Sequence, residues 1–166
     1  MSDIQFGVCL PIFACPGFQL FRTPGFAELD PAVVLPWGKR AEELGYDSLW
    51  VADHLMLGKD EAILEGWTVL SALAGVTTRV KLGMIHMAHY FRHPALTAKM
   101  TATLDQLSGG RLIHFLDFGY QRREYVNYGL PWRVRGPSAV QRARISSVAS
   151  TSLAIRTSTS SSQGRP

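Results

Sequence analysis

Cysteine is scarce in this chain of 166 residues: there are two, Cys9 and Cys15. Two cysteines six positions apart make neither a disulfide framework nor a zinc site. Long apolar runs are missing too. Residues 4–21 are rich in apolar types, but Pro11, Pro16 and Gly17 interrupt them and no Lys or Arg precedes them. A signal peptide needs a basic leader and a membrane span needs about 20 continuous apolar residues, so both fail. The expectation is a reduced, soluble, cytoplasmic protein. Acid is absent from residues 133–166, which hold six Arg and no Asp or Glu. The rest, residues 1–132, holds 11 Lys or Arg against 13 Asp or Glu. The net charge of +4 therefore comes from the tail. The tail also lacks aromatic residues to stack on bases, so it offers at most salt-dependent, sequence-blind affinity for nucleic acid. A Walker-type phosphate loop is also lacking. Gly109-Gly110-Arg111 has no following Lys-Ser or Lys-Thr and precedes a strand, so it reads as a helix stop.

What is present is globular: 46% hydrophobic and 18% charged residues suit an ordinary domain. Short apolar runs alternate with helical faces. Ile4–Leu10 reads as a first buried strand, followed by a long connection to about Leu29. Phe13, Phe18, Phe21 and Phe26 in that connection suit either an apolar pocket or packing beneath the loop. Asp30-Pro31 reads as an N-cap and first helical residue, with Val34, Trp37, Ala41 and Leu44 on one face. Pro36 moves the expected start of the regular helix to about Leu35. Ser48–Ala52 is the second strand. Trp67, Leu70, Ser71 and Ala74 mark a second helix between Glu65 and Val76. Val80–Met87 is the third strand. Pro94 opens a third helix, with Leu96, Met100, Leu104 and Leu107 on its face. Leu112–Phe118 is the fourth strand, and Arg122–Tyr128 reads as a short fourth helix.

The second, third and fourth strands begin near residues 48, 80 and 112, the spacing of a βαβ repeat. Such alternation implies a parallel sheet with right-handed crossovers. Strands apolar throughout imply cover on both faces. An open doubly wound sheet and part of a (β/α)8 barrel both satisfy this pattern. A whole barrel needs roughly 250 residues. From Arg133 the chain turns to Ser, Thr and Arg, with too few apolar residues to offset the entropy of ordering. The expected organisation is thus an α/β domain over 1–132 and a disordered tail over 133–166.

Five stretches carry a resemblance: Arg40–His54 (RAEELGYDSLWVADH), Leu70–Ala74 (LSALA), Arg79–Gly83 (RVKLG), Arg92–Ala95 (RHPA) and Leu104–Arg111 (LDQLSGGR). In this order and spacing they resemble the N-terminal half of the bacterial-luciferase-like flavin monooxygenase superfamily, over about residues 4–132. The resemblance implies a (β/α)8 TIM-type barrel, here its first four βα units. It implies FMN or the deazaflavin F420 bound at the C-terminal ends of the strands, a small-molecule substrate, and a homo-oligomer, the family commonly forming dimers. FMN members oxygenate a small organic substrate with reduced flavin and O2, and F420 members transfer a hydride. The composition switch after Trp132, inside a βα unit, reads as a truncated or frameshifted half-barrel. That leaves a non-catalytic remnant or self-associating binding module as the other expectation.

The same resemblance designates the site residues. Asp53 and His54, at the end of the second strand, are the implied catalytic pair beside the flavin ring. An imidazole there can act as acid, base or hydrogen-bonding partner. Met87 and Ala88, ending the third strand, and Asp117 and Gly119, ending the fourth, are the implied cofactor-binding residues. Gly119 would let backbone approach a cofactor closely. His86, His89 and His93 span a strand end and a loop with no carboxylate among them, so no metal site is expected.

Overall fold

The strands run parallel and in one register. A computed structural model describes residues 4–19, 24–117, 119–130 and 132. Phe21, Phe118 and the proposed tail 133–166 lie outside the described residues. The element order is β1 (Gly7–Cys9), α1 (Pro31–Glu43), β2 (Ser48–Val51), α2 (Gly66–Val76), β3 (Lys81–Met84), β4 (Met87–Ala88), α3 (Pro94–Leu107), β5 (Leu112–Ile113), β6 (Leu116–Asp117) and α4 (Arg122–Asn127). The main sheet has the order β1-β2-β3-β5, and β4 pairs with β6 in a second small sheet. Every one of these pairings is parallel.

Side chains alternate across a strand, so the register sorts them into two faces. Val8, Leu49, Leu82 and Leu112 align on one face and join a core with Val34, Ala41, Leu70, Leu73 and Leu104 from α1, α2 and α3. Cys9, Trp50, Gly83 and Ile113 align on the other face. Trp50 fills the space left by two glycines there. A Cβ on Gly83 would come within 2.4 Å of the indole, and one on Gly7 within 2.6 Å. The indole Nε1 donates to Ser48 Oγ at 2.9 Å, which holds the ring across the sheet.

Several sequence expectations shift. The first strand is shorter than Ile4–Leu10, and Ile4 is 79% exposed. The third strand breaks between β3 and β4 at Ile85–His86, whose peptide is cis. The fourth breaks between β5 and β6 at His114–Phe115. α1 starts at Pro31 and carries Pro36 inside it, because Asp30 caps Ala32 N at 2.9 Å and the helix loses only one bond at Pro36. Its buried face is Val34, Gly38 and Ala41, whereas Trp37 is 42% exposed. α1 seats its small residues on α2: a Cβ on Gly38 would meet Leu73 Cδ2 at 2.4 Å. Trp37 turns outward and covers Gly25 instead. In α3 the buried residues are Thr97, Thr101, Ala102 and Leu104, and the expected Leu96 and Leu107 are exposed.

Candidate functional site

Site residues gather where the strands end. Asp53 follows β2 and is 2% exposed. Its Oδ2 accepts the Ala88 N–H at 2.9 Å, which ties the end of β2 to β4. Arg92 grips the same carboxylate at two points, Nη1 to Oδ2 at 2.7 Å and Nη2 to Oδ1 at 2.8 Å. Arg92 Nη2 also donates to Glu65 Oε1 at 2.6 Å. Glu65 in turn caps α2, accepting from Trp67 N at 3.1 Å and from Thr68 N and Oγ1 at 2.7 Å. One cation thus joins two strand ends to the start of α2. Burial works against the charge on Arg92, but Asp53 and Glu65 outweigh it and raise its pKa. Burial also pushes the Glu65 carboxyl up, and the bonds from Thr68, Arg92 and Trp67 bring it below the ordinary range.

His54 bonds a different partner. Its Nδ1 lies 3.0 and 3.1 Å from the two oxygens of Glu124, on α4. Glu124 is fully buried. Its Oε1 also accepts the backbone N–H of Leu55 at 2.6 Å and of Met56 at 3.0 Å. Tyr120 packs its ring edge-to-face on His54, centroids 5.4 Å apart. The rest of α4 binds the same loop. Tyr128 donates its hydroxyl to Leu55 O at 3.3 Å, Asn127 Nδ2 donates to Met56 Sδ at 3.3 Å, and Arg123 pairs with Glu61. That loop holds Asp60 and Glu61 at positive φ, 57° and 58°, costly for non-glycine residues. Tyr125, fully buried, anchors α4 against Phe91, ring centroids 5.6 Å apart.

The expected cofactor-binding residues lie on the neighbouring strands. Met87 is in the core, and its N–H donates to Phe115 O at 2.8 Å. The Ala88 N–H is engaged by Asp53. Ala88 and Asp117 share a register position in the β4–β6 pair. Asp117 faces His86, Oδ2 to Nδ1 3.4 Å, with both side chains partly exposed. Gly119 has φ 70°, and a Cβ there would meet the Tyr125 hydroxyl at 2.8 Å, so helix α4 already requires a glycine at that turn. The structure therefore brings Met87, Ala88 and Asp117 together on adjacent strand ends. Asp53 and His54 belong to two separate networks.

Sequence reasoning missed Arg92 and Glu124 as the partners of Asp53 and His54. Arg92 was visible only as part of one of the five stretches that carry the resemblance. Glu124 carried no local signal, since its importance comes from the fold bringing α4 back over β2. Phe13 and Phe26 are buried and pack edge-to-face at 5.5 Å, whereas Phe18 is exposed. Cys9 and Cys15 are unpaired, and burial raises the Cys9 thiol pKa. His93 caps α3 through Ala95 N at 3.3 Å. Among the described residues no three His, Cys, Asp or Glu side chains are grouped to hold a metal.

Parallel strands with interleaved helices make this an α/β protein of the barrel type, with the candidate polar residues collected at the strand C-termini. The chain belongs to the luciferase-like monooxygenase family, whose sequence profile matches residues 6–140. It is 33% identical over 108 residues to an F420-dependent glucose-6-phosphate dehydrogenase of Amycolatopsis mediterranei, covering 63% of this chain and 32% of that protein. It is 38% identical over 114 residues to the pyrimidine monooxygenase RutA of Rhizobium rhizogenes, covering 64% of this chain and 29% of the relative. Among solved structures, the F420-dependent tetrahydromethanopterin reductase of Methanopyrus kandleri superposes with a TM-score of 0.57 at 28% identity, over 79% of this chain and 31% of that one. The FMN complex of the oxygenating component of 3,6-diketocamphane monooxygenase from Pseudomonas putida shares the fold, with a TM-score of 0.66 at 18% identity, over 89% of this chain and 39% of that one. The chain thus spans about a third of the length of the curated relatives it matches.

Proposed function

We propose that this chain contributes the ring-side part of a flavin or deazaflavin site in a luciferase-like oxidoreductase acting on a small organic substrate. The observation that carries the reading is His54, held at the end of β2 by the buried carboxylate of Glu124. The residues present fit the ring of FMN or F420. Nδ1 of His54 is committed to Glu124, which leaves Nε2 for a ring or substrate atom. Among the described residues Arg92 offers no phosphate grip, because it is already taken by Asp53 and Glu65. In barrels, phosphates are frequently held by loops after the seventh and eighth strands. When bound, reduced FMN would supply electrons for oxygenation with O2, and F420 would supply or accept a hydride.

In this reading His54 exchanges a proton or a hydrogen bond with the reacting group at Nε2. Asp53 acts at one remove, fixing the end of β4 through Ala88. Met87, Ala88, Asp117 and Gly119 form the strand ends over which the ring would lie. The cytoplasmic setting belongs to the same proposal and is supported by the two unpaired cysteines. No described helix is long and apolar enough to cross a membrane.

The test is a titration of the full chain with FMN and with F420, followed by cofactor fluorescence. Binding of either, weakened at least tenfold by His54→Ala, supports the reading. Full-strength binding by the variant, or no binding of either cofactor, overturns it. One observation favours a second reading, a self-associating module without catalysis. Ile85 and Phe115, at the two strand breaks, stay 41% and 44% exposed. A cofactor-free oligomer in sedimentation would support that reading. A cofactor-binding dimer fits the first.

A further inference from the structure

The way Glu124 holds His54 bears on which ring nitrogen carries the proton. Glu124 Oε1 already accepts two consecutive backbone N–H groups, from Leu55 at 2.6 Å and Met56 at 3.0 Å. Oε2 is left facing His54 Nδ1 at 3.0 Å. The two backbone N–H groups on Oε1 suit a carboxylate that accepts at both oxygens, and the ring nitrogen facing Oε2 then donates. A neutral imidazole has one N–H, and here it is spent on Nδ1. Nε2 then presents a lone pair, with no hydrogen-bond partner for it among the described residues. Imidazole side chains free in water prefer the opposite tautomer, with hydrogen on Nε2. The grip also spans three successive residues, 54 to 56, so ring and backbone are fixed together. Tyr120, edge-on at 5.4 Å and 79°, limits rotation of the ring.

We infer that Glu124 is the positioning residue of His54: it inverts the ring's solution preference and makes Nε2 a hydrogen-bond acceptor. The ligand atom meeting His54 in its neutral form is therefore an N–H or O–H donor. This inference rests on the proposed role of His54 at a cofactor or substrate site. It deepens that role by fixing the direction of the hydrogen bond.

Nitrogen NMR of the full chain, labelled with 15N-histidine and held well above the ordinary histidine pKa of about 6.5, reads the tautomer directly. His54→Gln identifies the signals by their loss. The expected pattern is a pyrrole-type Nδ1 and a pyridine-type Nε2. A pyridine-type Nδ1 overturns the inference. Glu124→Gln supplies the second arm. A carboxamide has one acceptor oxygen and an NH2 group that cannot accept, so it cannot serve all three donors. His54 should revert toward the Nε2–H form in that variant, with the circular dichroism of the fold retained. An unchanged tautomer in a folded Glu124→Gln chain also overturns the inference. If that variant does not fold, the tautomer of the unaltered chain decides alone. Failure of cofactor binding would sink the proposed function and leave the nitrogen pattern standing, so the two failures are separable.

Discussion

Asp53 and Arg92 form a two-point ion pair, 2.7 and 2.8 Å across, with Asp53 almost wholly removed from water. Both Asp53 oxygens are engaged, and one also takes the Ala88 N–H. Such a carboxylate has little left to offer a reactant. Breaking a buried pair from one side is costly because it strands the other charge. Asp53→Ala should destabilise the chain by about 3 kcal/mol, at the lower end for such losses because Glu65 still holds Arg92. Urea unfolding checks this through a lower midpoint at unchanged slope. A loss below about 1 kcal/mol would show the pair to be dispensable.

Trp50 and Gly83 give the second prediction. A Cβ on Gly83 would fall 2.4 Å from the indole, and the indole is tethered to Ser48. Gly83→Ala should cost about 1–3 kcal/mol through overpacking. With Trp50→Leu already in place, most of that cost should vanish. Equal costs in the two backgrounds would mean that the indole moves freely and the glycine serves another purpose.

These two contacts also show where sequence reading stops. The βαβ order was legible because Ser48–Val51, Pro94–Leu107 and their neighbours carry their own signals: β-rich runs, Pro at N1, glycines at the ends. His54 and Asp53 were legible as strand-end polar residues. Their partners were not. Arg92 and Glu124 lie 39 and 70 positions away from the residues they hold. Nothing local in a sequence encodes such a meeting. The buried faces of α1 and α3 shifted for a related reason. Close packing on Gly38 and Ala41 outweighed the burial of Trp37, a choice made by the partner helix and invisible in a helical period.

Glu42 yields a prediction on acid stability. Its carboxylate accepts the N–H groups of Thr78, Arg79 and Val80, so α1 clasps the loop before β3. Arg111 holds the same region from the other side, through the carbonyls of Ala74, Thr77 and Val80. Burial pushes the Glu42 pKa up, but the three backbone bonds and the charge of Arg111 outweigh it and leave it below the ordinary value. A depressed carboxylate stabilises fully above its unfolded pKa, about 4.3 for Glu. The stabilisation is lost as pH falls through the lower folded value. Glu42→Gln should therefore be less stable at pH 7 and lose less on acidification below about pH 4.3. Parallel stability curves for variant and parent across that range would remove Glu42 from the acid response.

His114 sits at the break in the fourth strand, and its Nε2 is buried with no hydrogen-bond partner among the described residues. Trp67, Leu70, Met84, Met87 and Leu112 surround the space beside it. Burial in that apolar setting lowers its pKa. The folded ring thus stays neutral at pH values where the unfolded one is protonated. Between the lowered folded value and the unfolded value of about 6.5, the unfolded chain binds more protons, so stability falls with falling pH. His114→Leu keeps an apolar side chain there and removes both the titration and the orphaned nitrogen. An unpaired buried polar group costs roughly 1–3 kcal/mol, so the variant should be more stable at pH 7 by about 1 kcal/mol after repacking. Its advantage should widen as pH drops below about 6.5, since only the parent carries the proton penalty. Unfolding midpoints at pH 7.5 and pH 5.5 measure both effects. If the difference between the two chains is the same at both pH values, His114 is not the titrating group. If the variant is instead less stable at pH 7.5, the imidazole has a partner that its apolar surroundings conceal.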